Sequence, residues 1–374
     1  MNKWDDLCAT IGGHREQAED TARLAPEVLK AAGDVGLWRL CAPLDVNGLE
    51  MPIPEQLAVY EKIGAADPTV GWHGLNTSAT GLVAAWLPEP DRRDVFMVGD
   101  RPCGLGFSPS AATVMPGANG EYTLDGRWPF MTGSADAAWC TVIARYEGAE
   151  GGPPVRRVVV PAQDLEIELT WDRASGMRGT GSHAVKAHGV KVPSGRVINP
   201  SDPPLIDRPL FRWPSSSALW GLAASLTVGI LRSAVVSAIE LNSGKFSSVD
   251  GHAHFAEPRP LAAIGNATAA VDAMSAGLRT LADDMWESYV AGEIPSPALR
   301  AHWWSLIFYS FDLSCEHVSR LYSSSTSAVY ANRNRLDRAL RDIHAISVAF
   351  ESFQGLRRAA SKVLMGQEAD HPTF

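Results

Sequence analysis

The chain has 374 residues, 45% of them hydrophobic, and carries 42 acidic against 33 basic side chains for a net charge of −9. That length and apolar content suit a large core and two or three domains, while the acidic balance and the lack of any Lys/Arg run exclude a nucleic acid or an anionic membrane surface as the natural partner. Five scattered cysteines (Cys8, Cys41, Cys103, Cys140, Cys315) form no C-x-x-C pair and no zinc spacing, so they read as reduced, mostly buried thiols of a cytoplasmic protein without a metal site.

In chain order, Trp4 to Trp38 shows apolar residues at helical spacing, including Leu24, Val28, Leu29 and Ala32, before Gly33 and Gly36 break the pattern. The N-terminus has no basic region followed by an apolar run, so no signal peptide is expected. Pro43 to Pro52 reads as loop, Pro54 suits the first turn of a helix carrying Leu57, Tyr60 and Ile63 on one face, and Asp67-Pro68 ends it and starts another. That next helix, Thr69 to Trp86, carries Trp72 and His73 among small residues and is thin enough to pack closely.

From Arg101 to about Pro200 strand and turn signals take over, with Tyr122-Thr-Leu, Trp139 to Ala144, Arg157 to Pro161 and Glu166 to Leu169 separated by Gly/Pro clusters. Within them, Asp125-Gly126 predicts a tight hairpin turn between Tyr122-Thr-Leu and a return strand of Trp128, Phe130 and Met131 that stops at Thr132-Gly133. Helical periodicity returns after the Pro-rich link, in four long segments starting near Ser215, Glu257, Ser296 and Leu336, which predicts a bundle. The nearly all-apolar run Ala218 to Leu231 is cut short by Arg232 and reads as a buried helix, not a membrane span. The expected architecture is α+β, mostly α: an N-terminal helical domain over 1–100, a β domain over 101–213 and a C-terminal four-helix bundle over 214–374.

Three stretches carry a resemblance: Gly126 to Trp139, with Trp128, Phe130, Thr132 and Gly133; Gly176-Met-Arg-Gly-Thr-Gly-Ser-His183 followed by Val190-Lys-Val-Pro193; and Arg341-Asp342-Ile-His344. In this order and spacing they resemble the two-component flavin-dependent monooxygenases on the acyl-CoA dehydrogenase fold, which hydroxylate phenols, indoles and related compounds. The resemblance covers essentially the whole chain. It implies reduced flavin, FMN or FAD, reacting with O₂ to a C4a-hydroperoxide that hydroxylates a small aromatic or indole-like substrate. The chain departs from the family in having Thr132 where Ser is usual, which keeps the hydroxyl, and Val348 where a His is often placed.

The resemblance implies that Thr132 bonds the flavin edge, that His73 stabilises the oxygen adduct, and that His344 with Ser347 serves as acid, base or substrate anchor. It also implies flavin contacts from Phe107 and Ser108 in Gly104 to Pro109, from Trp128, Phe130 and Gly133, from Thr180 and Ser182, from Lys245 through the flavin phosphate, and from Arg341. Read as residues alone, His73 fits a satisfied core histidine as well as a catalyst. Arg341, His344, Ser347 and Val348 share one helix face, which suits either a site or a solvated stripe with Arg341 paired to Asp342 or Glu351. Trp213, Trp220, Trp303 and Trp304 suit core or pocket wall.

No G-x-G-x-x-G after a strand and no G-x-x-x-x-G-K-[ST] occurs, so the chain has no nicotinamide-binding module of its own. Electrons would come from a separate NAD(P)H-dependent flavin reductase, and the resemblance implies a homotetramer. Two other readings stay open: an acyl-CoA dehydrogenase-like enzyme that oxidises a thioester, with Glu316 or Glu351 as base, and a non-catalytic relative that keeps the fold.

Overall fold

A computed structural model describes residues 2–97, 101–106, 112–117, 120–148, 155–212, 216–243, 246, 251, 257–330, 334–371 and 374. Helices come first: α1 (Lys3–Thr21), α2 (Pro26–Asp34), α3 (Ile53–Ala66), α4 (Pro68–Val83) and α5 (Glu89–Phe96). Helix α1 starts at a capping box in which Asn2 Oδ1 accepts from Trp4 N and Asp5 answers to Asn2 N, two orphan donors satisfied at once. The strands follow: β1 (Cys103–Gly106), β2 (Ala112–Pro116), β3 (Glu121–Met131), β4 (Trp139–Tyr146), β5 (Val155–Pro161), β6 (Glu166–Glu168), β7 (His183–Pro193) and β8 (Val197–Ile198). The chain ends in α6 (Ser216–Asn242), α7 (Pro258–Ala291), α8 (Pro297–Ser324), α9 (Arg335–Glu351) and α10 (Gln354–Leu364). This is the acyl-CoA dehydrogenase-like order, helical at both ends with a sheet between, and the four long segments begin within two residues of their predicted starts.

The chain divides into two compact units. The first comprises Met1–Met51, Trp72–Ala174 and Arg178–Trp213. Its eight-stranded sheet runs β6-β7-β3-β2-β4-β5-β8, with β1 pairing in parallel on β4. Val114, Leu124, Trp128, Met131, Val142, Val158, Val160 and Val185 are buried together on one side, each worth about 1.5–3 kcal/mol in transfer from water. The predicted hairpin does not form. Tyr122 and Met131 belong to one strand, in which Asp125 faces two residues of β7, His188 and Gly189, so the bulge there is carried by β7. The turn signal is overridden because β3 finds its partner far along the chain, pairing antiparallel with β7, while Asp125 Oδ1 accepts from Gly189 N at 2.7 Å at the bulge of that partner.

The second unit comprises Pro52–Gly71, Ser175–Met177 and Pro214–Phe374. Here α3 lies against α6 so closely that a Cβ on Gly64 would overlap the Leu226 carbonyl and one on Gly229 the Glu61 carbonyl, so the side-chain-free positions set the approach of the two helices. Helix α6 is the one described helix long and apolar enough to cross a membrane, and 78% of its most apolar stretch is buried inside the protein, as expected of a core helix. Trp303 and Trp304 are buried and belong to the core, while half-buried Trp220 packs on Phe311, Phe350 and Phe353. Trp213 lies outside the described residues.

Candidate functional site

Strand β3 stops at Thr132-Gly133 because the chain must turn there: Gly133 takes φ +73, a conformation only glycine adopts freely. Gly133 N donates to Thr180 O at 3.0 Å and Ser134 Oγ to Gly181 O at 3.2 Å, fastening the turn to the Gly179 to Ser182 loop. Since Met131 pairs with His183 at the head of β7, Ser182 lies beside Thr132. A hydroxyl chain results, with Thr132 Oγ1 at 3.1 Å from Ser182 Oγ and Ser182 Oγ at 2.7 Å from Thr180 Oγ1, all three buried. Beyond the turn, Asp136 accepts from Arg23 Nε at 2.9 Å, which anchors the segment that follows.

His73 on α4 lies against this turn. A Cβ on Gly133 would overlap His73 Nε2, so the glycine is also what lets the imidazole approach. The ring is fully buried and tilted against Trp38, with centroids 5.0 Å apart. Among the described residues neither Nδ1 nor Nε2 has a hydrogen-bond partner, although leaving a buried polar atom unpaired costs roughly 1–3 kcal/mol. Burial pushes the His73 pKa down to about 4, against a smaller opposite pull from Asp136, so the ring is neutral at physiological pH.

The structure therefore brings together His73, Thr132, Gly133, Thr180 and Ser182. Phe130, one residue before the end of β3, is 70% exposed and stands edge-on to Trp171, with ring centroids 6.0 Å apart. Its φ is +58 at the bulge of β3, where Pro129 and Phe130 face Ala184, a conformation costing of order 1–3 kcal/mol for a non-glycine residue. Trp128 does not share this setting: it is fully buried in the sheet core and its Nε1 donates to Ile143 O at 2.8 Å, so no edge of it is left for a ligand. Phe107, Ser108 and Lys245 lie outside the described residues.

In the second unit, α9 carries the other predicted residues. Arg341 pairs with Asp337 at 3.0 Å and donates to Ser175 O at 2.7 Å. Its expected partners, Asp342 and Glu351, are engaged elsewhere: Glu351 accepts from Gln354 Nε2 at 2.9 Å, and Asp342 lies buried on another face of the helix. His344 is exposed, its Nε2 3.1 Å from Ser319 Oγ, and Ser347 Oγ donates to His344 O at 2.8 Å. Glu316 is likewise exposed and paired with Arg320. Neither glutamate is the buried carboxylate that proton abstraction from a thioester requires.

Sequence reasoning missed a buried charged cluster in this unit. Arg338 Nη2 bonds Asp67 Oδ1 and Oδ2 at 3.0 and 2.8 Å, its Nε bonds Asp342 Oδ2 at 3.3 Å, Asp342 Oδ1 takes Met177 N, and Asp67 Oδ1 takes Thr69 N and Oγ1. The available signal was the i, i+4 pair Arg338 and Asp342, together with Asp67 before a proline. Also missed were Asp136 with Arg23, and His183. Among the described residues no group of three or more His, Cys, Asp or Glu is arranged to hold a metal.

A family model described as acyl-CoA dehydrogenase, C-terminal domain, matches residues 221–352. Over 297 residues the chain is 30% identical to an indole-3-acetate monooxygenase of Pseudomonas putida, covering 76% of this chain and 74% of that protein. In fold it is similar to XiaF from Streptomyces sp., solved with FADH2 and glycerol, with a TM-score of 0.86 at 21% identity over 100% of this chain and 96% of that one. TdsC from Paenibacillus sp., solved with FMN and indole, gives a TM-score of 0.82 at 20% identity over 99% and 97% of the two chains.

Proposed function

The chain belongs to the flavin-dependent monooxygenases built on the acyl-CoA dehydrogenase fold, and from that premise we propose that it is an oxygenase component that uses reduced flavin and O₂ to hydroxylate an aromatic or indole-like small molecule. One observation carries the assignment of the site: a neutral, buried imidazole with two nitrogens unpartnered among the described residues, pressed on Gly133 beside three linked hydroxyls. These uncharged donors and acceptors fit the N and O edge of a planar heteroaromatic ring, and they would be wasted on a dry core. When bound, reduced flavin supplies two electrons, so that one atom of O₂ enters the substrate ring and the other leaves as water.

The chain's own residues hold and shield that chemistry. Thr132 offers its hydroxyl to the ring edge, with Ser182 and Thr180 fixing its direction. Gly133 leaves room for close backbone approach, and Phe130 lies along the ring with Trp128 supporting the strand beneath. His73, kept neutral by burial, offers a hydrogen bond without bringing a competing charge or water into the site. His344, with Ser347 beside it, takes the acid, base or substrate-anchoring part, and Arg341 fixes the helix that carries them. Phe107, Ser108 and Lys245 complete the flavin contacts on the resemblance alone.

The flavin is FMN or FAD, delivered by a separate NAD(P)H-dependent reductase; the protein works as a cytoplasmic homotetramer whose segments 1–100, 101–213 and 214–374 act as helical, β and bundle domains. The test is a titration with oxidised and photoreduced FMN and FAD, followed by mixing with O₂ and a panel of phenols and indoles. Preferential binding of the reduced form and an oxygenated product are expected; tight binding of oxidised FAD that an acyl-CoA bleaches would replace the reading with thioester oxidation. His344→Ala is expected to raise the share of electrons ending in H₂O₂ about tenfold, a loss of about 1.4 kcal/mol of coupling, read as peroxide against product. Unchanged coupling would remove His344 from the site.

A further inference from the structure

His183 opens β7 directly after Ser182 and is buried to 6% exposure. Its Nδ1 faces two main-chain donors, Thr170 N at 3.2 Å and Trp171 N at 3.1 Å, and Thr170 Oγ1 accepts from Ala184 N at 2.9 Å. An imidazole nitrogen that accepts from two N–H groups carries a lone pair, so the ring proton is on Nε2. The ring thereby ties Thr170 and Trp171 to the head of β7. Trp171 in turn meets Phe130 edge-on, with an interplanar angle of 78°. Phe130 is large, apolar, exposed and held at positive φ two residues before Thr132, a combination that folding alone does not favour.

We propose that His183 is a positioning residue, whose acceptance of the Thr170 and Trp171 amides holds Trp171 as a brace that fixes the angle of Phe130 toward a planar heteroaromatic ring bound at the Thr132 turn. The proposal rests on the flavin reading given above. Protonation of Nδ1 would set a third N–H against the two donors and release them. The charged groups facing the ring are Asp172 after Trp171, Asp136 after β3 and Arg23 after α1; burial disfavours the charged form most, Arg23 adds to that, and the two carboxylates oppose it, leaving the His183 pKa below its ordinary value. The brace is therefore intact at neutral pH, and its contribution is lost as pH falls from about 6.5 toward the lower folded value.

The experiment compares the full chain with His183→Asn, whose side-chain oxygen can accept in place of Nδ1 without titrating, and with His183→Leu, which cannot accept. Amide exchange of the segment holding Thr170 and Trp171 is read by mass spectrometry without flavin, and the Kd for photoreduced FMN is read under anaerobic conditions, both from pH 5 to 8. We expect His183→Leu to exchange there about tenfold faster and to bind about tenfold more weakly at every pH. His183→Asn should stay within about twofold of the parent at pH 8 and be flat with pH, and the parent should pass from the Asn-like to the Leu-like value as pH falls. Should His183→Leu fold poorly, Trp171→Leu is expected to reproduce the loss of affinity with unchanged exchange in β7. Unaltered exchange in His183→Leu, or faster exchange with unaltered affinity, would overturn the proposal. A parent chain that binds no reduced flavin while the exchange pattern holds would overturn the cofactor reading and leave the tie between His183 and Trp171 supported.

Discussion

Two buried polar clusters in this protein obey opposite rules. In the second unit, Asp67, Arg338 and Asp342 are charged, yet the carboxylates and the guanidinium bond one another and three further donors, from Thr69 and Met177. In the first unit, His73, Thr132, Thr180 and Ser182 carry no charge at neutral pH, and among the described residues the imidazole is left with two bare nitrogens. A cluster that satisfies itself is finished when the chain folds, and its role is to hold the backbone in place. A cluster that keeps unmet hydrogen-bonding capacity has accepted a folding cost that only a further binding partner can offset.

The largest effect expected from that contrast is on the charged cluster. Arg338→Met leaves two carboxylates buried without their cation and should cost about 3–5 kcal/mol of unfolding free energy, read from urea denaturation; a loss below about 1 kcal/mol would mean water already reaches the cluster. His73→Leu is expected to behave in the reverse way. Removing a ring whose nitrogens are unpaired should leave stability unchanged or raise it by about 1 kcal/mol, while reduced-flavin affinity or product yield falls at least tenfold. The same variant tests the pH dependence. His73 has a folded pKa of about 4, below the ordinary 6.5, so its neutral form contributes stability that is fully present above pH 6.5 and is lost as pH falls toward 4. That loss amounts to roughly 3 kcal/mol, and His73→Leu should remove it from the stability profile. The smallest effect belongs to a charge outside both clusters: Arg341→Ala breaks a half-exposed pair with Asp337 and should cost about 0.2–1 kcal/mol, measured by thermal unfolding. A much larger loss would show that the Ser175 carbonyl it also holds is a structural anchor.

The helices were legible because their period is local: Pro54, Pro297 and the run from Ala218 to Leu231 each announce themselves within a few residues. The turns at Thr132-Gly133 and Gly179 to Ser182 were also legible, since glycine and hydroxyl residues crowd where a chain turns. Asp125-Gly126 misled for the converse reason. The same two residues can end a strand or continue it, and only the distant partner β7, which bulges opposite Asp125, decides between them. The Arg338 cluster was not read beyond its i, i+4 pair because Asp67 stands 271 residues away, and the tie from His183 to Trp171 was not read because it runs through main-chain amides that no residue type announces.

The pairing of β3 with β7 also has a consequence for the order in which the protein is made. Thr132 leaves the ribosome well before Ser182, with β4, β5 and β6 translated in between, and the hydroxyl chain exists only once β7 has paired with β3. Until then the apolar face of β3, with Trp128 and Met131, has no partner on that edge, and its closure waits on a long loop. A nascent or truncated chain that stops before Pro193 would thus present a sticky strand edge to chaperones and proteases, and could not retain a cofactor to shield it.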